Sequence, residues 1–236
     1  MSILSDLKSL FLPPVCPVCG GPLAEGDGAF CMVCRTTVPR TMFWLKAENP
    51  MAARLRDFFP VVQASAFIWF IQGSPWQRAI HDFKYRSRWR TAYELGRWFG
   101  SNLARSGLYA GVDCVVPVPL HVRRLLGRGY NQADYAAEGI AEGLGVPVVH
   151  RALRRLRNNP SQTTRSTAER WVNVEGLFTV RRSDLLAGKH ILLVDDVVTT
   201  GSTLLACAEA LAAALPECRI SMAALAVSYH HFGFDR

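Results

Sequence analysis

Two adjacent carboxylates stand directly after an apolar segment of this sequence, in an arrangement that can hold a sugar. Asp195 and Asp196 follow the apolar residues 191–194, a continuous run that is typical of a parallel strand buried on both faces. Ligands of open α/β sheets bind beyond the carboxyl ends of the strands. We therefore expect both carboxylates to accept hydrogen bonds from the hydroxyl groups of a ribose.

A loop of hydroxyl residues around one glycine follows the acid pair. Its members are Thr199, Thr200, Gly201, Ser202 and Thr203. Because an Ala- and Leu-rich helical pattern covers residues 204–215, the loop lies at a helix N-terminus and is predicted to bind a monophosphate. A nucleotide-binding P-loop is a weaker alternative, since that motif needs a Lys before its final Ser or Thr. A generic strand, turn and helix is the other alternative.

The order of these residues resembles the phosphoribosyl pyrophosphate (PRPP) signature of type I phosphoribosyltransferases. An apolar strand, Asp-Asp, two apolar residues and Thr-Thr-Gly-Ser-Thr follow one another without interruption. The resemblance implies that Asp195 and Asp196 are the catalytic residues and orient the ribose, while residues 199–203 bind the 5′-phosphate. It also implies that Mg²⁺ bridges oxygens of the pyrophosphate and the ribose.

Basic residues near the middle of the chain are candidates for the pyrophosphate. The run 115–120 is predicted to end a strand, and a basic loop with the sequence HVRRLLGRGYNQ follows it. In a phosphoribosyltransferase-like fold this loop faces the pyrophosphate. The candidates are Arg123, Arg124 and Arg128, of which Arg128 is preferred. A solvated basic face is the alternative for each.

A polar segment between two predicted strands is expected to form a mobile hood over the ligand in such a fold. Its candidate residues are Gln162, Arg170 and Asn173. A polar surface loop is the alternative interpretation.

Four cysteines near the start of the sequence have the spacing of a zinc site. They are Cys16, Cys19, Cys31 and Cys34, two Cys-x-x-Cys pairs separated by eleven residues. Four thiolates close the tetrahedral coordination of Zn²⁺, which indicates a structural zinc ribbon. Disulfide pairing is the alternative, although nothing in the sequence indicates an oxidising compartment. The other cysteines, Cys114, Cys207 and Cys218, are expected to be buried thiols.

The motifs taken in order along the chain resemble the ComF family. The cysteine pairs, FKYR at residues 83–86, PVPL with RGYNQ, and the PRPP signature span nearly the whole chain. The family consists of phosphoribosyltransferase-like proteins with an amino-terminal zinc ribbon. Some members are implicated in handling incoming single-stranded DNA during natural competence, so the resemblance implies PRPP and single-stranded DNA as partners.

Aromatic and basic residues alternate around residue 85 in a pattern that suits single-stranded nucleic acid. The candidates are Lys84, Tyr85, Arg86 and Arg88, beside which bases could stack on rings while cations follow the backbone. In the alternative, the segment is a helix on which Phe83 and Trp89 face the core and the cations are solvated. Further basic residues are Arg151, Arg154, Arg155 and Arg157.

Length and composition indicate a folded protein with an affinity for anions. The chain has 236 residues, 50% of them apolar, and a formal net charge of +8, which favours anionic partners such as PRPP or nucleic acid. Alternating strand and helix patterns predict an α/β phosphoribosyltransferase-like fold with a mostly parallel sheet flanked by helices. We expect a helix and zinc ribbon over residues 1–60 and the phosphoribosyltransferase-like domain over residues 61–236.

The first fourteen residues favour a cytoplasmic protein over a membrane-inserted one. They form an apolar stripe that Asp6 and Lys8 interrupt, and the stripe is too short to span a bilayer. We expect a short amphipathic helix whose leucines pack against the body.

Three functions stay open at this point. The chain is a PRPP-binding module that handles single-stranded DNA, an active transferase that acts on a small base, amine or nucleotide, or a structural adaptor. Thr199 occupies the position where 6-oxopurine phosphoribosyltransferases carry an acidic base, which argues against purine salvage of that type. Neither the acceptor nor the oligomeric state follows from these motifs.

Overall fold

The computed structural model describes residues 14–82, 89–156 and 176–233. Its helices are α1 (Met32–Thr36), α2 (Pro50–Arg56), α3 (Pro75–Asp82), α4 (Trp89–Ser106), α5 (Val122–Arg128), α6 (Gln132–Leu144), α7 (Ser183–Leu186), α8 (Ser202–Ala214) and α9 (Tyr229–Phe232), with a 3₁₀ turn at Phe43–Leu45. Its strands are β1 (Ala64–Phe70), β2 (Cys114–Pro117), β3 (Leu153–Arg155), β4 (Phe178–Val180), β5 (His190–Val198) and β6 (Arg219–Ser228).

A four-stranded parallel sheet forms the centre of the molecule, as the α/β pattern predicts. The strand order is β1-β6-β5-β2, and all three pairings are parallel. A separate antiparallel pair is formed by β3 and β4. Beside β2, Val148 forms a single parallel bridge with Val115.

Helices cover both faces of the sheet, which explains why β5 is apolar without interruption. Ile191 and Leu193 belong to one hydrophobic cluster, whereas Leu192 and Val194 belong to the cluster on the other face. Side chains of a strand alternate between its two faces, and full burial of one such aliphatic side chain stabilises the fold by about 1.5–3 kcal/mol. The strand that carries the acid pair is therefore anchored on both sides.

The residues before position 60 pack into the same two clusters. Met51 and Leu55 of α2 lie in one cluster, and Phe30 lies in the other, with its ring centre 5.3 Å from that of Trp76. The backbone also continues the sheet, because the Trp69 N–H donates to the Pro39 carbonyl at 2.8 Å. A domain boundary near residue 60 stays a prediction.

The prediction of a basic loop after β2 is wrong for residues 122–128, because these residues form helix α5. The His121 ring accepts a hydrogen bond from the Arg123 N–H at 3.3 Å and caps the helix. Gly129, with a φ of 80°, ends it in the left-handed conformation that glycine adopts most easily. No side chain of α5 is buried.

Helix α6 is fixed to the end of β2 by one side chain. Asn131 precedes α6, accepts a hydrogen bond from the Ala133 N–H at 3.4 Å, and donates to the Val118 carbonyl at 3.1 Å. The amide therefore both caps the helix and ties it to the sheet edge.

Within the described ranges, no helix combines the length and the hydropathy that a bilayer crossing requires.

Candidate functional site

The acid pair lies in the last part of β5, beyond the end of its neighbour β2. The strand continues to Val198, so the acids are inside it rather than after it as the sequence pattern suggests. Strand β2 ends at Pro117, which pairs with Val194, while β6 continues alongside and pairs with Asp195 through Ala224. One side of the strand is thus open at the two acids, and both are half-buried.

The two carboxylates are held in place by hydrogen bonds from the backbone that follows each of them. Asp195 Oδ1 accepts from the Asp196 N–H at 2.8 Å, and Asp196 Oδ1 accepts from the Val197 N–H at 2.7 Å. Bonds to an ionised acceptor are stronger than neutral ones. The carboxylates are therefore oriented before any ligand arrives.

The hydroxyl loop leads directly into helix α8, which begins two residues earlier than the pattern predicts. Gly201 occupies the N-cap with a φ of 90° and provides no side chain to cap the helix. The Ser202 N–H makes a long bond of 3.5 Å to Thr200 Oγ1, and the N-terminus of the helix can attract an anion. The hydroxyls of Thr200 and Ser202 lie 3.1 Å apart. Thr200 is buried and Thr199 is exposed. This arrangement suits a monophosphate.

Two arginines converge beside the acid pair from elements outside the main sheet. Burial, followed by the charge of Arg124, lowers the pKa of Arg155, whereas the charge of Asp195 raises it. The guanidinium of Arg155 also lies 5.5 Å from the ring centre of Phe178 on the neighbouring strand β4. Arg124 and Asp195 are thus within electrostatic range of Arg155, and two cations in range of each other can attract a polyanion.

The preferred pyrophosphate candidate has a partner of its own. Arg128 Nη1 donates a hydrogen bond to Gln132 Oε1 at 3.2 Å and so connects the end of α5 to the start of α6. Arg123 is exposed and Arg124 is half-buried. Of the three arginines, Arg124 is the one whose charge acts on Arg155.

The four N-terminal cysteines come together in one cluster. Their sulfur atoms all lie within 4.8 Å of one another. The Sγ atoms of Cys19 and Cys31 are 3.7 Å apart, well beyond the roughly 2.05 Å of a disulfide, and the Gly21 N–H donates to Cys19 Sγ at 3.4 Å. The cluster can hold a structural metal ion.

Backbone amides around the cluster favour a thiolate. Burial raises the pKa of Cys16, but the backbone groups of Cys19, Cys31 and Val18 outweigh that effect and lower the pKa to about 7. Burial, together with the neighbouring sulfurs, raises the pKa of Cys34. A thiolate is the form that binds metal. Sulfur atoms this close together can all coordinate one metal ion, which displaces their protons.

The three remaining cysteines have no feature of a reactive site. Cys114 and Cys207 are buried, and burial raises the pKa of Cys114 to about 11. Cys218 is half-buried and donates to the Leu186 carbonyl at 2.9 Å.

Two groups of predicted site residues lie outside the described residues. One is the nucleic-acid candidates Lys84, Tyr85, Arg86 and Arg88, and the other is the hood candidates Gln162, Arg170 and Asn173.

Trp89, which follows the nucleic-acid candidates in the sequence, is described and is 36% exposed. Its ring stacks on Tyr135 with centres 5.1 Å apart, and the Arg90 guanidinium lies 5.4 Å from its centre. Trp89 therefore lies at the surface rather than in the core.

The sequence did not show that Arg155 belongs with Arg124. Both residues carry a basic side chain, but they come from a short strand and a helix that are 31 positions apart in the sequence. The alternation of side chains along β3 was the available signal, since Arg154 is exposed and Arg155 is half-buried.

The parallel sheet, the acid pair and the hydroxyl loop define a type I phosphoribosyltransferase-like protein. The sequence profile of the phosphoribosyl transferase domain matches residues 124–231, a range that includes all three parts of the site: the acids, the loop and both converging arginines.

Named relatives extend the similarity towards the N-terminus. The chain is 28% identical to DNA utilization protein YhgH of Salmonella typhimurium, over 82% of this chain and 88% of the relative. It is 30% identical to competence protein ComFC of Bacillus subtilis, over 80% and 68% respectively. It is also 30% identical to competence protein F of Haemophilus influenzae, over 53% and 56%. The chain belongs to the ComF family, as its motifs predict.

Proposed function

We propose that this protein binds PRPP together with Mg²⁺ at the carboxyl end of β5. The loop of residues 199–203 binds the 5′-phosphate through the N–H groups of α8 and its own hydroxyls. Asp195 and Asp196 bind the ribose hydroxyls, and Arg124 and Arg155 contact the pyrophosphate, with Arg128 as a further candidate. The observation that carries this proposal is the convergence of the acids, the helix N-terminus and the two neighbouring guanidinium groups.

The metal ions follow from the chemistry of the residues present. Mg²⁺ prefers oxygen ligands and binds through one or two carboxylates plus substrate phosphates, which suits Asp195 and Asp196. A closed set of four thiolates suits Zn²⁺ in a structural role, which suits the cluster of Cys16, Cys19, Cys31 and Cys34. Free thiols of this kind are typical of a reducing compartment, so we place the protein in the cytoplasm.

The wider role that we propose is the handling of single-stranded DNA in natural competence or DNA use. The names of two relatives, competence protein ComFC and DNA utilization protein YhgH, support this role. The formal net charge of +8 supports it as well, because phosphate neutralisation provides most of the affinity for nucleic acid.

A second candidate function is transfer of ribose 5-phosphate from PRPP to a small base, amine or nucleotide. The paired arginines favour it, because cations next to the leaving pyrophosphate and carboxylates next to the ribose stabilise the charges that develop on bond cleavage. Each such interaction lowers the barrier by roughly 3 kcal/mol, which raises the rate about a hundredfold. Thr199 cannot serve as the acidic base, so the site suits an acceptor whose nitrogen can attack the anomeric carbon without losing a proton to a residue at this position.

Calorimetry with PRPP and ribose 5-phosphate, each with Mg²⁺, tests the proposed binding. We expect PRPP to bind at least about tenfold more tightly, because only PRPP has the pyrophosphate that the arginines contact. Equal affinities would contradict the assignment of Arg124 and Arg155.

A separate measurement tests the nucleic-acid role. Fluorescence anisotropy of a labelled single-stranded oligonucleotide should show binding whose affinity falls steeply as salt is raised. Absent binding, or binding that salt does not weaken, would remove single-stranded DNA from the proposal and leave PRPP binding untouched.

A further inference from the structure

A cavity lies at the carboxyl end of β2, where Pro117, Pro119 and Leu120 contribute to its lining. It has a volume of about 650 Å³, within the range of small-molecule sites. It is lined by Pro117, Pro119, Leu120, Leu125, Gly129, Tyr130, Asn131, Asp134, Tyr135, Glu138, His150, Arg151, Leu153 and Arg182. The acids, the hydroxyl loop and the two converging arginines of the PRPP site are absent from this lining, so the cavity is a neighbouring site.

One wall of the cavity presents two carboxylates on the same face of α6. Asp134 and Glu138 are four residues apart, which places them one above the other on a helix, and both are half-buried. Asp134 Oδ1 accepts from Asn131 Nδ2 at 3.0 Å, and Glu138 Oε1 lies 3.6 Å from His150 Nε2. Burial raises the pKa of Asp134. Such carboxylates are suited to accept hydrogen bonds from N–H groups of a ligand.

Aromatic rings held in fixed positions form another part of the wall. Tyr135 stacks on Trp89, with centres 5.1 Å apart and planes at 28°. Tyr130 meets Tyr135 edge-on, with centres 5.8 Å apart. Because each ring is braced by the next, the two tyrosine rings, inclined at 69° to each other, form an apolar corner in which a planar ring can pack on one ring and against the edge of the other.

Positive charge is found at the rim. Arg151 and Arg182 line the cavity and are both exposed. Arg151 has a φ of 55°, a left-handed conformation that costs a non-glycine residue roughly 1 kcal/mol and that persists most often at functional sites. The lining thus has acids and rings inside and arginines outside.

We propose that this cavity binds a nucleotide whose base carries an exocyclic amino group. The base lies against Tyr130 and Tyr135, its amino group donates to Glu138 and Asp134, and its phosphate contacts Arg151 and Arg182. Cytosine, adenine and guanine carry such an amino group, whereas thymine has a carbonyl oxygen in its place and only one ring N–H to donate to the carboxylates. Such a nucleotide can come from single-stranded DNA or from a free mononucleotide. The inference rests on the proposed function for the first of these two sources.

Calorimetry with dCMP, dAMP and dTMP tests the base preference, and anisotropy with short oligo-dC and oligo-dT tests whether a strand supplies the base. We expect dCMP and dAMP, or oligo-dC, to bind about tenfold more tightly than their thymine counterparts. The variant Glu138→Gln should bring the ratio close to one. If the mononucleotides show the preference for amino-bearing bases, the source is a free nucleotide. If only the oligonucleotides show it, the source is a DNA strand. Either result supports base binding in the cavity.

The control is Glu142→Gln, the same change one turn further along α6, where the carboxylate pairs with Arg97 Nε at 3.3 Å and does not line the cavity. It should leave the base preference unchanged, and melting curves confirm that both variants fold. Equal affinity for amino and thymine nucleotides, or a preference that survives Glu138→Gln, would overturn the inference. PRPP binding, measured on the same variants, should be unaffected, so its failure would count against the proposed function and not against the cavity.

Discussion

Gly201 and Leu55 touch at the point where the hydroxyl loop meets the N-terminal part of the chain. A Cβ on Gly201 would lie 2.6 Å from Leu55 Cδ2, closer than packed carbon atoms approach one another. Leu55 belongs to α2 and is fully buried. The loop that we assign to the 5′-phosphate is therefore supported from behind by a segment that precedes the main sheet.

The contact predicts that Gly201→Ala destabilises the protein. The new methyl group meets Leu55, and alanine is strained at a φ of 90°, so we expect a loss of roughly 2–4 kcal/mol in the free energy of unfolding, measured with urea. The control is Gly188→Ala, whose φ is 68° but whose Cβ would have no neighbour within 4 Å. It should lose only about 1 kcal/mol. Equal losses in the two variants would mean that the contact with Leu55 is unimportant.

Removal of one cysteine of the cluster should abolish metal binding and lower the melting temperature. Cys16→Ser removes the ligand whose pKa is lowered to about 7, and loss of a structural metal typically costs on the order of 4 kcal/mol, or about 10 °C in melting temperature. Metal analysis and thermal melting measure both effects.

Cys218→Ser is the matched control, because serine can keep the donation to the Leu186 carbonyl and Cys218 lies outside the cluster. It should retain the metal. If purified wild-type protein holds no stoichiometric zinc, or Cys16→Ser melts like the wild type, the structural role of the cluster is refuted.

The stability of the protein should depend on pH through His190. This residue is buried, its Nε2 lies 2.9 Å from Ser221 Oγ, and burial, followed by the charge of Arg219, lowers its pKa below the ordinary 6.5. Below pH 6.5 the unfolded chain binds a proton that the folded chain excludes. The contribution of His190 is therefore complete above that pH and is lost as the pH falls towards the folded pKa.

Urea unfolding at about pH 7.5 and pH 5.5 measures this effect, with an expected slope of at most about 1.4 kcal/mol per pH unit. His190→Gln should flatten the dependence, whereas the control His81→Gln, at an exposed position, should leave it unchanged. An undiminished slope in His190→Gln would assign the pH dependence to other groups.

The arginine pair predicts a difference between two neighbouring residues of β3. Arg155→Met should weaken the binding of pyrophosphate with Mg²⁺ by about tenfold or more, because a hydrogen bond to a charged group contributes roughly 1.5–3 kcal/mol. Calorimetry measures the affinity. Arg154→Met makes the same change on the exposed side of the strand and should have a small effect. A reversed order of the two variants would contradict the position assigned to Arg155.

The sequence predicted the central strands well because their signal is local. Residues 191–194 are apolar without interruption, and a strand buried on both faces requires that pattern. The end of β5 was harder to predict, because Asp195 and Asp196 are polar residues that continue the strand. They can do so since β2 stops at Pro117 and leaves one side open, and the length of a neighbouring strand cannot be read from β5 itself.

Contacts between distant segments explain what the sequence could not provide. Helix α5 is hard to predict because its seven residues include three arginines and a glycine, and its apolar residues Val122, Leu125 and Leu126, although helically spaced, are exposed rather than packed in the core. The cavity at the end of β2 could not be predicted because its lining comes from separate segments, and the motifs PVPL and RGYNQ that contribute to it were assigned to the pyrophosphate. The cysteine cluster, in contrast, was visible because Cys-x-x-Cys spacing brings two sulfurs together locally.

The binding of PRPP by the double variant Asp195→Asn with Asp196→Asn tests the proposed site most directly. Asparagine keeps the oxygen that accepts from the N–H groups of Asp196 and Val197 but removes the negative charge from the site. We expect calorimetry with Mg²⁺ to show a loss of affinity of roughly a hundredfold, with unchanged melting. Asp184→Asn, at an exposed position of α7, should bind PRPP like the wild type. Wild-type affinity in the double variant would contradict the site.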